Sequence, residues 1–179
     1  MRKWITPMAA LMLTAFLSLT WTVGWAGDAG TPSQSVVDAF EKLKSLEGTW
    51  KGTNGQGEEV ELTFELTGNG SAVYSRYSVN GTEHEHDMAT VYHLEGARLM
   101  LTHYCAMANQ PRMISTSGLQ GNALQFQFLD VGNADASKDG HMHKAAYQFL
   151  SDNHFTTDWT WFEGGESRFT ATVDVKRVK

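Results

Sequence analysis

At Thr49 the hydrophobic repeat of this chain changes from about 3.6 residues to about 2, and it keeps the shorter period almost to the end. Val60, Leu62, Phe64 and Leu66 alternate with Glu59, Glu61, Thr63 and Glu65, which gives that segment one apolar and one polar face. Such alternation suits a half-buried β-strand and is incompatible with a helix. Turn chemistry recurs between the alternating runs, at Gly68-Asn69-Gly70, Asn80-Gly81, Glu95-Gly96, Ser151-Asp152-Asn153 and Gly164-Gly165. The pattern predicts about ten strands, near residues 49–54, 58–66, 71–79, 84–94, 98–106, 112–117, 123–130, 141–150, 154–162 and 167–177. Short hairpins make sequential strands antiparallel neighbours, and so many one-faced strands are best served by closure. The expected fold is an all-β, up-and-down antiparallel barrel.

Before the strands comes one helix. Ser35-Val36-Val37-Asp38 has the spacing of a capping box, and Val36, Val37, Phe40, Leu43 and Leu46 form an apolar stripe opposite Glu41, Lys42 and Lys44. Residues 1–26 have the anatomy of a secretory signal: Arg2 and Lys3, then an apolar stretch, then Gly24 and Ala26. An uncleaved N-terminal anchor is the competing reading. The expected organisation is a signal peptide over 1–26, a short tether over 27–34 and one barrel domain over 35–179. The protein would then be exported, periplasmic or secreted, with no integral membrane span left after cleavage. The formal net charge is −6, and loss of the two positive charges of Arg2 and Lys3 takes it to −8. That balance argues against a nucleic-acid partner held by bulk electrostatics. Cys105 is the single cysteine, so no internal disulfide supports the core. No phosphate loop, Gly-rich dinucleotide fingerprint or Gly-x-Ser-x-Gly elbow occurs.

Two tracts, His103-Tyr104-Cys105 and His141-Met142-His143, carry the chemistry. On strands, residues at i and i+2 share a face. His103 and Cys105 share theirs with Leu99 and Leu101; His141 and His143 share theirs with Tyr147 and Phe149. Leu124, Phe126, Phe128, Phe155, Trp159 and Trp161 are expected to line the same interior. Asn109 and Arg112, beside Pro111, are placed near the barrel mouth as ligand contacts. Three readings stay open for the tracts. One is a transition-metal site of His103, Cys105, His141 and His143, suited to zinc, copper or iron. The others are a polar cluster that orients a small, partly apolar molecule, joined by Tyr147, Trp159 and Trp161, and a hydrogen-bonded core.

Gly48-Thr49-Trp50 at the first strand, with Arg177 near the end of the last, resembles the calycins, the lipocalin and fatty-acid-binding superfamily. That resemblance implies a ligand barrel in which Arg177 packs on Trp50 as a structural pair. The run Thr102-His103-Tyr104-Cys105, Asn109-Gln110-Pro111-Arg112-Met113 and Gly140-His141-Met142-His143 is similar to a group of exported bacterial proteins that supplies no catalytic residues. Haem barrels of the nitrobindin type are a more distant comparison without a matching proximal-histidine motif, so haem ranks below a metal ion as cofactor. The leading expectation is an exported small-molecule-binding protein. The alternatives are a metal-dependent or Cys-His enzyme in the lumen, and an envelope interaction module without a small ligand.

Overall fold

The structure, a computed structural model, describes residues 30–81 and 87–178. The expected signal peptide and the first three residues of the expected tether, 27–29, lie outside the described residues, as do residues 82–86. Helix α1 spans Gln34–Lys44. The strands are β1 Gly48–Asn54, β2 Glu59–Thr67, β3 Ala72–Val79, β4 Met88–Glu95, β5 Arg98–Tyr104, β6 Gln110–Ser115, β7 Leu119–Gln120, β8 Ala123–Gly132, β9 His141–Ser151, β10 His154–Glu163 and β11 Glu166–Arg177. Ten of them run as antiparallel neighbours and close on themselves, through β1 with β11 and β6 with β8. The two-residue β7 is only a hairpin partner of β8. Among the described strands closure leaves no long unpaired edge, in keeping with the alternating pattern.

Helix α1 covers one end and buries Val36, Ala39, Phe40 and Leu43. Its N-cap is Ser33, which makes no side-chain cap bond, so the capping box read at Ser35 is corrected. Asp38 instead accepts from Gln34 Nε2 at 2.8 Å, one turn along the exposed face. The helix start rests on Gly118. A Cβ there would lie 2.2 Å from the Ser35 carbonyl, and the glycine φ is +63°, so both contact and conformation require glycine.

At the same end Trp50 pairs with Arg177 across β1 and β11, and the guanidinium carbon sits 4.3 Å from the indole centroid. Arg177 donates to Glu47 O at 2.6 Å and Ser45 O at 2.7 Å, while Trp50 Nε1 donates to Leu46 O at 2.7 Å. The last strand is thereby tied to the turn between helix and first strand. Trp50, Phe64 and Phe155 pack edge to face beneath it, and Tyr92, Phe126, Tyr147 and Phe149 continue the aromatic filling upward.

The opposite end is formed by the end of β5, the starts of β4, β6 and β9, and the end of β10. Here the strand limits differ from the sequence reading. β5 stops at Tyr104 because the chain turns: Cys105 N donates to Asn109 O and Ala108 N to Cys105 O. The segment from Val131 to Gly140 is held by its own side chains, with Asp135 accepting from Ser137 and Lys138. Those bonds occupy the Asp135 carboxylate.

Candidate ligand site at the barrel mouth

Strand parity places His103 correctly. It is 5 % exposed, Thr90 Oγ1 lies 2.9 Å from its Nδ1, and its ring centroid is 4.8 Å from that of Trp159. Its Nε2 is buried without a hydrogen-bond partner. Burial in this apolar wall pushes the imidazole pKa down to about 4, so the ring is neutral at physiological pH.

His141 and His143 pair with each other rather than with His103. A backbone carbonyl can only accept, so the 3.0 Å contact with Asp139 O fixes the proton on His141 Nδ1. His141 Nε2 then accepts from His143 Nδ1 at 3.1 Å. The His143 ring is sandwiched between Phe128, 4.4 Å away, and Phe162, 4.0 Å away. Burial, with smaller effects from His141 and Lys144, holds the His143 pKa below its ordinary value.

The remaining predicted contacts divide. Cys105 lies past the strand end in the turn, half-buried. Burial raises its thiol pKa, outweighing the backbone N–H groups of Met107 and Ala106. Among the described residues no imidazole hydrogen-bonds it. Arg112 is on the outer face of β6, exposed and ion-paired with Asp130, which corrects its placement at the mouth. Pro111 and Met113 take the inward positions on that strand. Asn109 is buried: its Nδ2 donates to Gly140 O at 2.8 Å and its Oδ1 has no partner. Trp161 packs over Gly140 and stacks on the exposed Phe169 at 6.0 Å, outside the cavity lining. Among the described residues no three His, Cys, Asp or Glu side chains gather to hold a metal, so the four tract residues do not converge.

Between its walls the barrel leaves a cavity of about 80 Å³ that is partly open to solvent. Tyr92 and Tyr147, joined hydroxyl to hydroxyl, are on its wall together with Ser75, Thr90 and Thr157. Met88, Met142, Tyr77 and Trp159 lie toward the mouth. Tyr147 and Trp159 were anticipated from the sequence; the methionines and hydroxyls were missed. Thr90 and Tyr92 were legible in principle, being alternate positions on one strand. Met142 was not, because parity assigns it to the outside. Between β9 and β10 the pairing runs Thr160 with Lys144 and then Trp161 with Met142, so His143 is an extra, bulged residue. A bulge re-aims its neighbours, and Met142 packs on the core and lines the cavity.

These features define a closed ten-stranded antiparallel barrel, capped by a helix at one end and with a small mixed polar and aromatic cavity toward the other. Its fold is similar to that of Rv2717c from M. tuberculosis, with a TM-score of 0.57 at 12 % identity over 79 % of this chain and 98 % of that one. This shows shared fold alone. A protein of unknown function of the DUF3598 family from Nostoc punctiforme aligns over 78 % of this chain and 99 % of that chain at 10 % identity, with a TM-score of 0.22 that carries no argument. No protein-family model matches the chain, and no curated protein matches it. Among the described residues no helix is long and apolar enough to cross a membrane.

Proposed function

We propose that this is an exported binding protein of calycin type whose ligand sits in the cavity between the Tyr92–Tyr147 pair and Trp159. The observation that carries the reading is the cavity itself, left open in a barrel whose other aromatic side chains pack against one another. Its wall combines ring faces with hydroxyls, which suits a small molecule that is apolar on one side. Size limits the choice: an apolar cavity of roughly 150 Å³ accepts benzene, and this one is smaller. The Arg177 stack on Trp50 supports the calycin comparison, and the first 26 residues support export.

Binding is tested by xenon and by an alcohol series from methanol to phenol, followed by tryptophan fluorescence and thermal unfolding. The small probes should stabilise the protein and phenol should not. Ala171→Leu, which adds volume at the wall, should abolish the effect while the barrel still melts cooperatively. If no small probe moves either signal in the unsubstituted protein, the binding reading fails.

A further inference from the structure

We infer that the cavity takes an uncharged ligand with a hydrogen-bond acceptor at one end, a carbonyl or ether oxygen, which accepts from the hydroxyl of Tyr147. This rests on the cavity reading above and names the ligand class.

The lining sets the charge of the ligand. It includes no Asp, Glu, Lys, Arg or His, and its wall carries the hydroxyls of Ser75, Thr90, Tyr92, Tyr147 and Thr157. An ion brought against that wall would lose its hydration with no opposite charge to replace it. A neutral polar group is served by hydroxyls alone.

A count of protons sets the polarity. Four contacts join five buried groups: His103 Nδ1 with Thr90, Thr90 with Tyr92, Ser75 with Tyr92, and Tyr92 with Tyr147. Each contact uses one proton, and each of the four hydroxyls supplies one. All four would be consumed only if His103 Nδ1 were bare and accepted from Thr90. The neutral ring would then carry its proton on Nε2, which is buried without a partner, and a sealed N–H is costly. With the proton on Nδ1, His103 donates, and one hydroxyl keeps a proton that no protein group accepts. Unlike Nε2, the hydroxyls line the cavity, where a ligand reaches them.

The direction of the chain locates that proton. His103 donates to Thr90, Thr90 to Tyr92 and Tyr92 to Tyr147, each bond polarising the next. Ser75 fills the second acceptor position of Tyr92. Tyr147, whose hydrogen-bond partner is Tyr92, is left with its own proton facing the cavity. An accepting oxygen on the ligand completes the set.

The test sets acetone against 2-methylpropene, which has nearly the same shape with a methylene group in place of the oxygen. Each is titrated into the protein and followed by the methyl NMR signals of Met88, Met142 and Ala171, which line the cavity. Both should bind, and acetate should not. Tyr147→Phe should weaken acetone relative to 2-methylpropene by about three- to tenfold. Ser75→Ala should leave that ratio unchanged. Imidazole nitrogen shifts should show His103 protonated on Nδ1. The assignment is overturned if Tyr147→Phe leaves the ratio unchanged, if acetate binds as tightly as acetone, or if the proton sits on Nε2. Should Tyr147→Phe lose both ligands, the acetate comparison and the nitrogen shifts of the unsubstituted protein decide. If 2-methylpropene still binds when the assignment fails, the cavity reading stands and only the acceptor class falls; if neither probe nor xenon binds the unsubstituted protein, both fall.

Discussion

The hydroxyls of Tyr92 and Tyr147, 55 residues apart in sequence, meet at 2.5 Å across the lumen, one from β4 and one from β9. Both phenols are held above their ordinary pKa, chiefly by burial. The pair therefore stays neutral and joins opposite walls of the barrel at the edge of its cavity.

The two partners are not equivalent. Tyr92 also has hydrogen bonds with Ser75 and Thr90, whereas Tyr92 supplies the hydrogen bond of Tyr147. Tyr92→Phe leaves a buried hydroxyl unpaired and should cost about 1–3 kcal/mol, while Tyr147→Phe should cost less. The double variant should be more stable than the sum of the single losses implies. Urea unfolding of the three variants, read as a double-mutant cycle, measures this coupling.

His103 gives the fold a pH dependence with a definite sign. Its pKa is about 4 when folded, against an ordinary value of 6.5, so the unfolded chain binds the proton more readily. The stability concerned is fully present above about pH 6.5, is lost as pH falls toward 4, and changes no further below that. The total is roughly 3 kcal/mol at most. His103→Gln should flatten the difference in unfolding free energy between pH 7 and pH 4.5 relative to the unsubstituted protein. Equal slopes in both proteins would show that the proton is taken up elsewhere.

Much of this was legible because alternation is a direct record of which face is buried. Ten strands, the closure and the inward placement of His103, Tyr147 and Trp159 all follow from it. Alternation fails where the backbone departs from two residues per repeat. The bulge at His143 has no glycine to announce it, so Met142 could not be assigned to the lumen. Cys105 was carried inward by extending β5 beyond Tyr104, where the turn closed by Asn109 ends the pairing. Arg112, placed at the mouth from its position beside Pro111, faces Asp130 instead, because Pro111 and Met113 take the inward parity of β6. Partner choice is the deeper limit. Parity says that His141 and His143 share a side, but their mutual hydrogen bond depends on the Asp139 carbonyl.

The mouth is shaped by one small residue. A Cβ on Gly140 would lie 2.1 Å from the Trp161 ring, so alanine there must displace the indole. Gly140 O also accepts from Asn109, which couples the β5–β6 turn to the start of β9. Gly140→Ala should shift the tryptophan emission to the red as Trp161 becomes more exposed, and should lower stability by about 1–3 kcal/mol. A second substitution, Trp161→Leu, should relieve the clash and recover part of that loss. Emission and melting curves of both variants decide the point.

At the far end, Arg177 does three things that no other residue can do together. It covers the Trp50 indole, and its two terminal nitrogens reach separate backbone carbonyls, Glu47 and Ser45. Both carbonyls lie where the helix ends and β1 begins, so the contact fixes the cap to the seam between the first and last strands. Lysine keeps the charge but loses the planar fork and its stack. Arg177→Lys should therefore behave more like Arg177→Met than like the unsubstituted protein, each losing about 2 kcal/mol. Amide exchange locates the loss: it should rise first in α1 and along the β1–β11 pairing, while the strands around the cavity keep their protection. Uniform exchange across the barrel would mean that the arginine supports overall stability without specifically holding the cap.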